Sequence, residues 1–183
     1  MERNNLWAPW RIRYVQGLVK GPESGKQDQA DKLGGGKCFI CSNLGNPQAD
    51  VDNLVLWRTN KSIVLLNRFP YNNGHLLIAP NRHMADLNTA NDEELLDMTK
   101  LIRESQKALS LAIKPHGFNV GMNFGRCAGA GLPGHLHIHV VPRWQGDTNF
   151  MDVCADTEVI SQSMAELLDL LKQTNKEHNL PNL

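Results

Sequence analysis

The chain has 183 residues, 41% of them hydrophobic, and its 19 acidic residues balance its 19 basic ones. This size fits one domain with extensions, and the balanced charge gives no overall field that would attract nucleic acid or a membrane surface, so an anionic ligand must be held by local groups. Because no apolar run could span a bilayer and no signal-peptide core follows Met1, we expect a cytoplasmic protein with no membrane or nucleic-acid partner.

The N-terminal segment differs in composition from the rest of the chain. Residues 6–15 hold two tryptophans, a proline and two arginines, which predicts an aromatic arm packed on the domain. Residues 17–37 carry glycines and charges without aromatic side chains, which predicts a flexible loop. We therefore expect three parts: the arm and loop (1–37), a central domain (38–151), and a C-terminal helix and tail (152–183).

Cys38 and Cys41 have the Cys-x-x-Cys spacing of a zinc knuckle. The same pair could be redox-active or simply two buried thiols. A metal would need further ligands from elsewhere in the chain. With four cysteines in all, such a pair suits a reducing compartment and a metal better than a disulfide scaffold.

The following segments predict strands and one long helix. Leu54–Arg58 and Ser62–Leu66 flank a short polar turn and predict a β-hairpin. His75–Ala79 predicts a further strand, which Pro80 stops. Asn91 or Thr89 can cap a helix that starts at Asp92 and keeps one apolar face to Lys114.

The remaining segments complete an α+β pattern. Phe118–Asn123 predicts a strand, and Ser161–Lys172 predicts an amphipathic C-terminal helix that packs on the domain. This succession of strands and helices is typical of an antiparallel sheet with helices packed on it.

The stretch Gly134–Arg143 alternates histidine with apolar residues, which is the side-chain period of a β-strand. On such a strand His135, His137 and His139 share one face, while Leu136 and its apolar neighbours enter the core. Three imidazoles in register have two functional interpretations. One is a metal site, and the other is nucleophilic catalysis, in which one imidazole attacks and its neighbours orient and stabilise.

A glycine-rich stretch, residues 123–134, leads into this strand. Glycine lets backbone amides approach a ligand closely, and successive amides form an anion-binding nest. With Arg126 and Arg143 near its ends, the stretch favours a phosphate bound beside the imidazoles.

These residues resemble the histidine triad (HIT) family. The run His-Leu-His-Ile-His-Val-Val at residues 135–141 matches the family signature, and Asn123-x-Gly125 and residues 67–83 also look like the family. The resemblance covers roughly residues 38–151. Within the family, residues 6–11 and 141–150 resemble the branch of bacterial diadenosine tetraphosphate (Ap4A) phosphorylases.

The resemblance implies a HIT-like fold, in which an antiparallel meander sheet carries one long central helix and a C-terminal helix. It also implies a homodimer whose two sheets join. The implied activity is hydrolysis or transfer at a phosphoanhydride of a dinucleoside polyphosphate such as Ap4A. The reaction would pass through a covalent nucleotidyl-histidine, with water or phosphate as the acceptor.

The resemblance also assigns roles to single residues. His137 would attack the α-phosphorus, His139 would stabilise the phosphate or the leaving group, and His135 would position the strand. His75 would support the site from behind. The implied substrate-binding residues are Asn67 near the ribose, Asn123, Gly125, Gly131 and His139.

Family members that carry a Cys-x-x-Cys pair often complete a zinc site with two histidines. In this chain the matching histidines are His83, in Pro-x-x-His, and His135. The resemblance therefore implies a structural Cys2His2 zinc site formed by Cys38, Cys41, His83 and His135. Such a closed site would tie the N-terminal segment to the triad strand rather than activate water.

One departure from the phosphorylase branch concerns the acceptor. That branch often has serine where this chain has Gly131, so one candidate hydroxyl donor for an acceptor phosphate is missing.

Other functions remain open. A metallohydrolase could use His135, His137 and His139 around a catalytic zinc, and it would lose all activity on chelation. A nucleotide-binding or interaction protein with little turnover is another alternative, against which the intact His137 argues. Sugar 1-phosphate nucleotidyl transfer is disfavoured, because related transferases carry glutamine where this chain has His139.

Overall fold

The computed structural model describes residues 38–147, residue 160 and residues 162–183. The predicted arm and loop (residues 1–37) and residues 148–150 of the family-like segment lie outside the described residues. Within the described part of the chain, no helix combines the length and apolar character needed to cross a membrane.

The described residues contain five strands that form one antiparallel sheet. They are β1 (Val55–Arg58), β2 (Ser62–Leu66), β3 (Leu76–Pro80), β4 (Gly117–Met122) and β5 (Ile138–Arg143). Their order is β1-β2-β3-β5-β4, so the first three strands form a meander and β5 inserts between β3 and β4. The predicted hairpin is confirmed as β1 and β2, and the Thr59 hydroxyl closes its turn by accepting a hydrogen bond from the Ser62 amide at 2.8 Å.

Three α-helices accompany the sheet in the same part of the chain: α1 (Phe39–Leu44), α2 (Asp92–Ile113) and α3 (Met164–His178). The long predicted helix is α2, and Asn91 rather than Thr89 caps it. The Asn91 side chain accepts a hydrogen bond from the Glu94 amide, and the Glu94 carboxylate accepts one from the Asn91 amide. This reciprocal capping box fixes the first turn of α2.

The C-terminal helix α3 begins at Met164 rather than at the predicted Ser161. The Ser163 side chain caps it by accepting a hydrogen bond from the Glu166 amide at 3.3 Å, which sets the first helical residue. The helix continues to His178, beyond the predicted end.

Apolar side chains cover both faces of the sheet. On β2, Ile63 and Leu65 belong to a small cluster that includes Ile40 of α1. Val64 and Leu66 point to the other face and join the main core with residues of α2 and α3. The main core also receives alternate residues of the triad segment, namely Leu136, Ile138 and Val140.

The triad strand is shorter than predicted. Regular pairing begins at Ile138, which pairs with Ile78 of β3 and with Met122 of β4. Before this point the Leu136 amide donates to the Met84 carbonyl at 2.6 Å instead of joining the sheet. His139 therefore lies within β5, whereas His135 and His137 precede it, because the segment turns aside to meet residues that follow β3.

Candidate active site

His137 lies in the stretch just before β5 and is 7% exposed. Its Nδ1 is 2.8 Å from the backbone carbonyl oxygen of His135. A carbonyl oxygen only accepts hydrogen bonds, so this nitrogen carries the proton. In neutral imidazole the opposite nitrogen, Nε2, then has a free lone pair, which is the form that can attack an electrophile.

A chain of hydrogen bonds fixes the proton of His139. The Tyr71 amide donates to His75 Nδ1 at 3.0 Å, so the neutral His75 ring carries its proton on Nε2. That Nε2 is 2.9 Å from His139 Nδ1 and donates to it. His139 therefore carries its own proton on Nε2, the nitrogen that His75 does not contact.

Burial keeps both of these rings neutral at pH 7. Burial, reinforced by His139 and His137, lowers the pKa of His75 to about 3. Burial and the neighbouring His137 lower the pKa of His139 to about 4. The rings of His137 and His139 have centroids 4.9 Å apart, so a free lone pair and an N–H donor belong to adjacent rings. Such a pair can combine nucleophilic attack with stabilisation of the charge that develops.

Asn67 belongs to the same network. Its Nδ2 lies 3.3 Å from His75 Nδ1, and its Oδ1 accepts a hydrogen bond from the Phe69 amide at 3.0 Å. Both ends of its amide group thus have partners within the protein.

Tyr71 is a residue of the site that the sequence analysis did not single out. Its ring lies nearly parallel to that of His139, at 25° with centroids 5.6 Å apart, and it also contacts His75. The side chain is 54% exposed, so one aromatic surface faces solvent beside the imidazoles. The signal available in the sequence was the position of Tyr71 within the family-like segment 67–83.

The second cluster consists of the four predicted metal ligands. One potential ligand atom from each of Cys38, Cys41, His83 and His135 lies within 4.8 Å of all the others. The two Nδ1 atoms are 3.3 Å apart, Cys38 Sγ is 3.1 Å from His135 Nδ1, and Cys41 Sγ is 3.3 Å from His83 Nδ1. In a tetrahedron with usual zinc bond lengths, two nitrogens are about 3.3 Å apart and a sulfur and a nitrogen about 3.5 Å apart. The four residues fit a tetrahedral metal.

A hydrogen bond from Nε2 orients the His135 ring so that its Nδ1 can bind a metal. Its Nε2 donates to the Pro80 carbonyl oxygen at 2.9 Å, so the Nδ1 lone pair faces the other three ligand groups. Burial lowers the pKa of this imidazole, which favours the neutral form that binds metal. Burial and the adjacent Cys38 raise the pKa of the Cys41 thiol to about 11, so in the metal-free protein the thiol is protonated at pH 7.

The Pro-x-x-His segment is anchored to helix α2. Arg82, the neighbour of His83, donates from Nε and Nη2 to the Glu94 carboxylate at 3.0 and 2.8 Å. These bonds, together with the Asn91 amide, lower the pKa of Glu94 to about 2. The capping box of α2 therefore also fixes the backbone that carries His83.

The glycine-rich stretch forms a compact turn between β4 and β5. Its centre is a short 3-10 helix, Arg126–Ala128, bounded by Gly125 and Gly129. Both glycines have positive φ, 77° and 89°, which disfavours any residue with a side chain at these two positions.

Asn123 and Gly131 lie on either side of this turn. Asn123 follows directly after the Met122–Ile138 pair, level with His137, and its side-chain amide donates to the Gly129 carbonyl at 3.3 Å. Gly131 is exposed, and a Cβ built on it would meet no atom within 4 Å.

The three triad histidines do not converge on a common point. His135 Nδ1 joins the cysteine cluster, His137 Nδ1 binds a backbone carbonyl, and His139 Nδ1 accepts from His75. Among the described residues, the group of potential metal ligands contains His135 but neither His137 nor His139. Arg143, expected near a phosphate, instead forms a bidentate ion pair with Asp147 at the far end of β5.

Comparison with known proteins identifies the class to which this fold and site belong. Residues 48–146 match the family model described as the HIT domain, and the chain belongs to the HIT family.

Particular relatives cover most of the chain. It is 35% identical to the AP-4-A phosphorylase of Mycobacterium tuberculosis over 167 residues, which is 91% of this chain and 81% of that protein. It is 30% identical to the asymmetrical bis(5'-nucleosyl)-tetraphosphatase of Schizosaccharomyces pombe over 103 residues, 56% of each chain. A Zn-bound histidine triad family protein from Mycobacterium smegmatis has the same fold, with a TM-score of 0.63, 23% identity, and coverage of 78% of this chain and 96% of that one.

Proposed function

We propose that this protein is a nucleotidyl hydrolase or transferase that cleaves a phosphoanhydride of a dinucleoside polyphosphate such as Ap4A. The observation that carries the proposal is the bond between His137 Nδ1 and the His135 carbonyl, which places the proton of the neutral ring on Nδ1 and the lone pair on Nε2. Neutral imidazole is both a competent nucleophile and a competent leaving group near pH 7.

In the first step, His137 Nε2 attacks the α-phosphorus. A P–N bond forms, the P–O bond to the departing nucleoside polyphosphate breaks, and a nucleotidyl-histidine results. His139 donates its Nε2–H to the oxygen on which negative charge develops. Its depressed pKa of about 4 keeps it a neutral hydrogen-bond donor rather than a cation.

In the second step, an acceptor oxygen attacks the same phosphorus and the P–N bond breaks. Water as acceptor releases the nucleoside monophosphate, and inorganic phosphate releases the diphosphate. We assign Asn123, Gly125 and Gly131 to phosphate binding, since the turn they border exposes backbone beside His137. We assign Asn67 to the nucleoside side of the site.

The substrate class rests on the relatives. The two enzymes compared above are named for Ap4A phosphorolysis and for cleavage of bis(5'-nucleosyl) tetraphosphates, and this chain matches the former over 91% of its length. Both activities break a phosphoanhydride between two nucleosides, which agrees with a nucleophilic imidazole beside a neutral donor.

We also propose that Cys38, Cys41, His83 and His135 hold a structural zinc. Their distances and the orientation of His135 fit a closed tetrahedral site without an open coordination position. Such a metal would tie the α1 segment to the start of the triad segment and would take no part in the reaction.

The rival functions find less support. A catalytic zinc held by all three triad histidines requires their nitrogens to converge, and in this structure they have separate partners. A binding protein with little turnover would not need the opposite proton positions of His137 and His139.

The direct test is incubation of the purified protein with Ap4A, with and without inorganic phosphate, followed by identification of the products. Hydrolysis yields AMP and ATP, whereas phosphorolysis yields ADP and ATP. No cleavage under either condition would reject the proposed function.

The acceptor can be tested at Gly131, where a side chain has room. We expect Gly131→Ser to raise the share of ADP when phosphate is present, because it adds a hydroxyl donor. Gly131→Ala is the matched control, since it adds the same carbon without the hydroxyl. An equal ADP share in both variants would contradict a role for this position in acceptor choice.

A further inference from the structure

Asp147 joins two segments that are distant in the sequence. Its Oδ2 accepts hydrogen bonds from Asn72 Nδ2 at 2.8 Å, from Arg143 Nε at 2.6 Å and from the Trp144 amide at 3.2 Å. Its Oδ1 accepts from Arg143 Nη2 at 2.8 Å. The Asp147 side chain is only 11% exposed. A carboxylate that receives four donors holds its neighbours in one arrangement.

Asn72 begins the tight turn that leads to His75. Its side-chain oxygen accepts from the Asn73 amide at 2.9 Å, and its backbone carbonyl accepts from the His75 amide at 3.2 Å. The residue before it, Tyr71, supplies the amide that donates to His75 Nδ1. The side chain that Asp147 holds is therefore adjacent to the shorter of the two donors at His75 Nδ1, the other being Asn67 Nδ2 at 3.3 Å.

The turn is also held from the side of the core. A Cβ built on Gly74 would lie 2.7 Å from Ile113 Cδ1 and 3.1 Å from Pro142 Cγ, so the backbone of the turn touches both α2 and β5. Asp147 fixes the outer side of the same turn. The contacts of Gly74 with the core and of Asn72 with Asp147 restrict the turn from both sides, and with it the Tyr71 amide.

We propose that Asp147 is a positioning residue for His139. Through Asn72 it holds the Tyr71 amide against His75 Nδ1, and His75 in turn holds the proton of His139 on Nε2. Asp147 itself touches neither imidazole. The effect on catalysis rests on the proposed function, whereas the effect on the proton of His139 does not depend on it.

The test uses two variants of the full chain, Asp147→Asn and Asn72→Ala, which break the same link from opposite sides. Asp50→Asn is the matched control, because Asp50 also receives Arg58 in a bidentate ion pair but contacts neither Asn72 nor the imidazoles. We expect both test variants to lose about tenfold to hundredfold in kcat for Ap4A with KM changed by less than about threefold, as is usual when a reacting group is misaligned.

A second readout reports the proton directly. Two-bond 1H–15N spectra of the imidazoles distinguish Nε2–H from Nδ1–H rings. We expect one His139 tautomer, Nε2–H, in the wild type and in Asp50→Asn, and a mixture of tautomers in Asp147→Asn and Asn72→Ala. If one test variant does not fold, the other still gives both readouts.

The proposal is overturned if both folded test variants keep wild-type kcat and a single His139 tautomer, or if Asp50→Asn loses as much kcat as they do. If the wild type does not cleave Ap4A, the proposed function fails, while the tautomer spectra still decide whether Asp147 positions His139.

Discussion

His135, His137 and His139 are spaced two residues apart, yet their Nδ1 atoms have three different partners. One faces the cysteine cluster, one donates to a backbone carbonyl, and one accepts from His75. In a neutral imidazole, the hydrogen-bond partner of one ring nitrogen determines whether the other nitrogen carries the proton. Under the proposed function, three identical side chains would thereby serve as a metal ligand, a nucleophile and a hydrogen-bond donor.

The lowered pKa of His75 predicts that the free energy of unfolding depends on pH. Its pKa is about 3 in the folded protein and about 6.5 when unfolded. The unfolded state therefore binds the extra proton between these values, so the stability that His75 contributes is fully present above pH 6.5 and is lost as the pH falls.

Between pH 7 and pH 5 we expect the free energy of unfolding to decrease more in the wild type than in His75→Gln. The extra decrease in the wild type should be about 1–2 kcal/mol. Chemical denaturation at each pH measures this difference. His178→Gln, which removes an exposed histidine at the end of α3, is the control. Parallel curves for the wild type and His75→Gln would contradict a neutral, buried His75.

The sequence indicated candidate site residues more readily than it indicated the contacts between them. The alternation of His135, His137 and His139 was readable because it follows the period of a strand. The bond between His75 and His139 was not, since it joins the residue before β3 to β5 and depends on the register of the two strands. The link from Asp147 to Asn72 was equally hidden, because a turn and a strand end meet only once the sheet has formed.

At the scale of elements, helix α2 has a second task besides covering the sheet. Glu94, the second residue of its capping box, binds Arg82, which precedes the candidate metal ligand His83. The short helix α1 brings Cys38 and Cys41 to the same place. A metal at this point would join α1 and the segment after β3 to the start of the triad segment.

We expect one zinc per chain in protein purified without chelators. Cys38→Ser should lose the zinc and lower the unfolding temperature, because a closed metal site contributes folding free energy. It should reduce the rate of Ap4A cleavage far less than a triad substitution does. Metal analysis and thermal unfolding measure both effects, with Cys127→Ser, an exposed cysteine outside the cluster, as control. A wild-type protein without bound metal would contradict the site.

At the scale of elements the predictions failed mainly at boundaries. The cap of α3 at Ser163 and the start of β5 at Ile138 were displaced from the sequence pattern. For α2 the predicted start at Asp92 is confirmed, and Asn91 was one of two predicted cap candidates. A cap depends on which side chain reaches a free amide, and a strand start depends on its partners. Hydrophobic periodicity carries neither kind of information.

Within the described residues, the five-stranded sheet has two edge strands. Strands β1 and β4 form the two ends of the described sheet, and Val120 of β4 is 43% exposed. Exposed edges favour pairing with another chain, and the resemblance to the HIT family implies a dimer with joined sheets. We propose a homodimer.

Light scattering coupled to size-exclusion chromatography tests this at micromolar concentration. The chain has a mass of 20.5 kDa, so we expect a particle of about twice that mass. A monomeric mass at this concentration would contradict the dimer, without affecting the assignment of the imidazoles.

The proposed mechanism requires His137 to form a covalent bond with the substrate. Asparagine at this position leaves the buried neighbours Leu136 and Ile138 intact, so His137→Asn should fold and still bind nucleotide. Loss of a covalent nucleophile costs about 10⁴-fold or more in rate, whereas His139→Asn removes one donor and should cost about 10²–10³-fold.

The most direct measurement is the rate of Ap4A cleavage by His137→Asn relative to the wild type, in folded protein of matched concentration. We predict the loss of nearly all turnover, larger than the loss in His139→Asn, which serves as the matched control. A His137→Asn variant that kept a tenth of the wild-type rate would contradict the covalent mechanism for this protein.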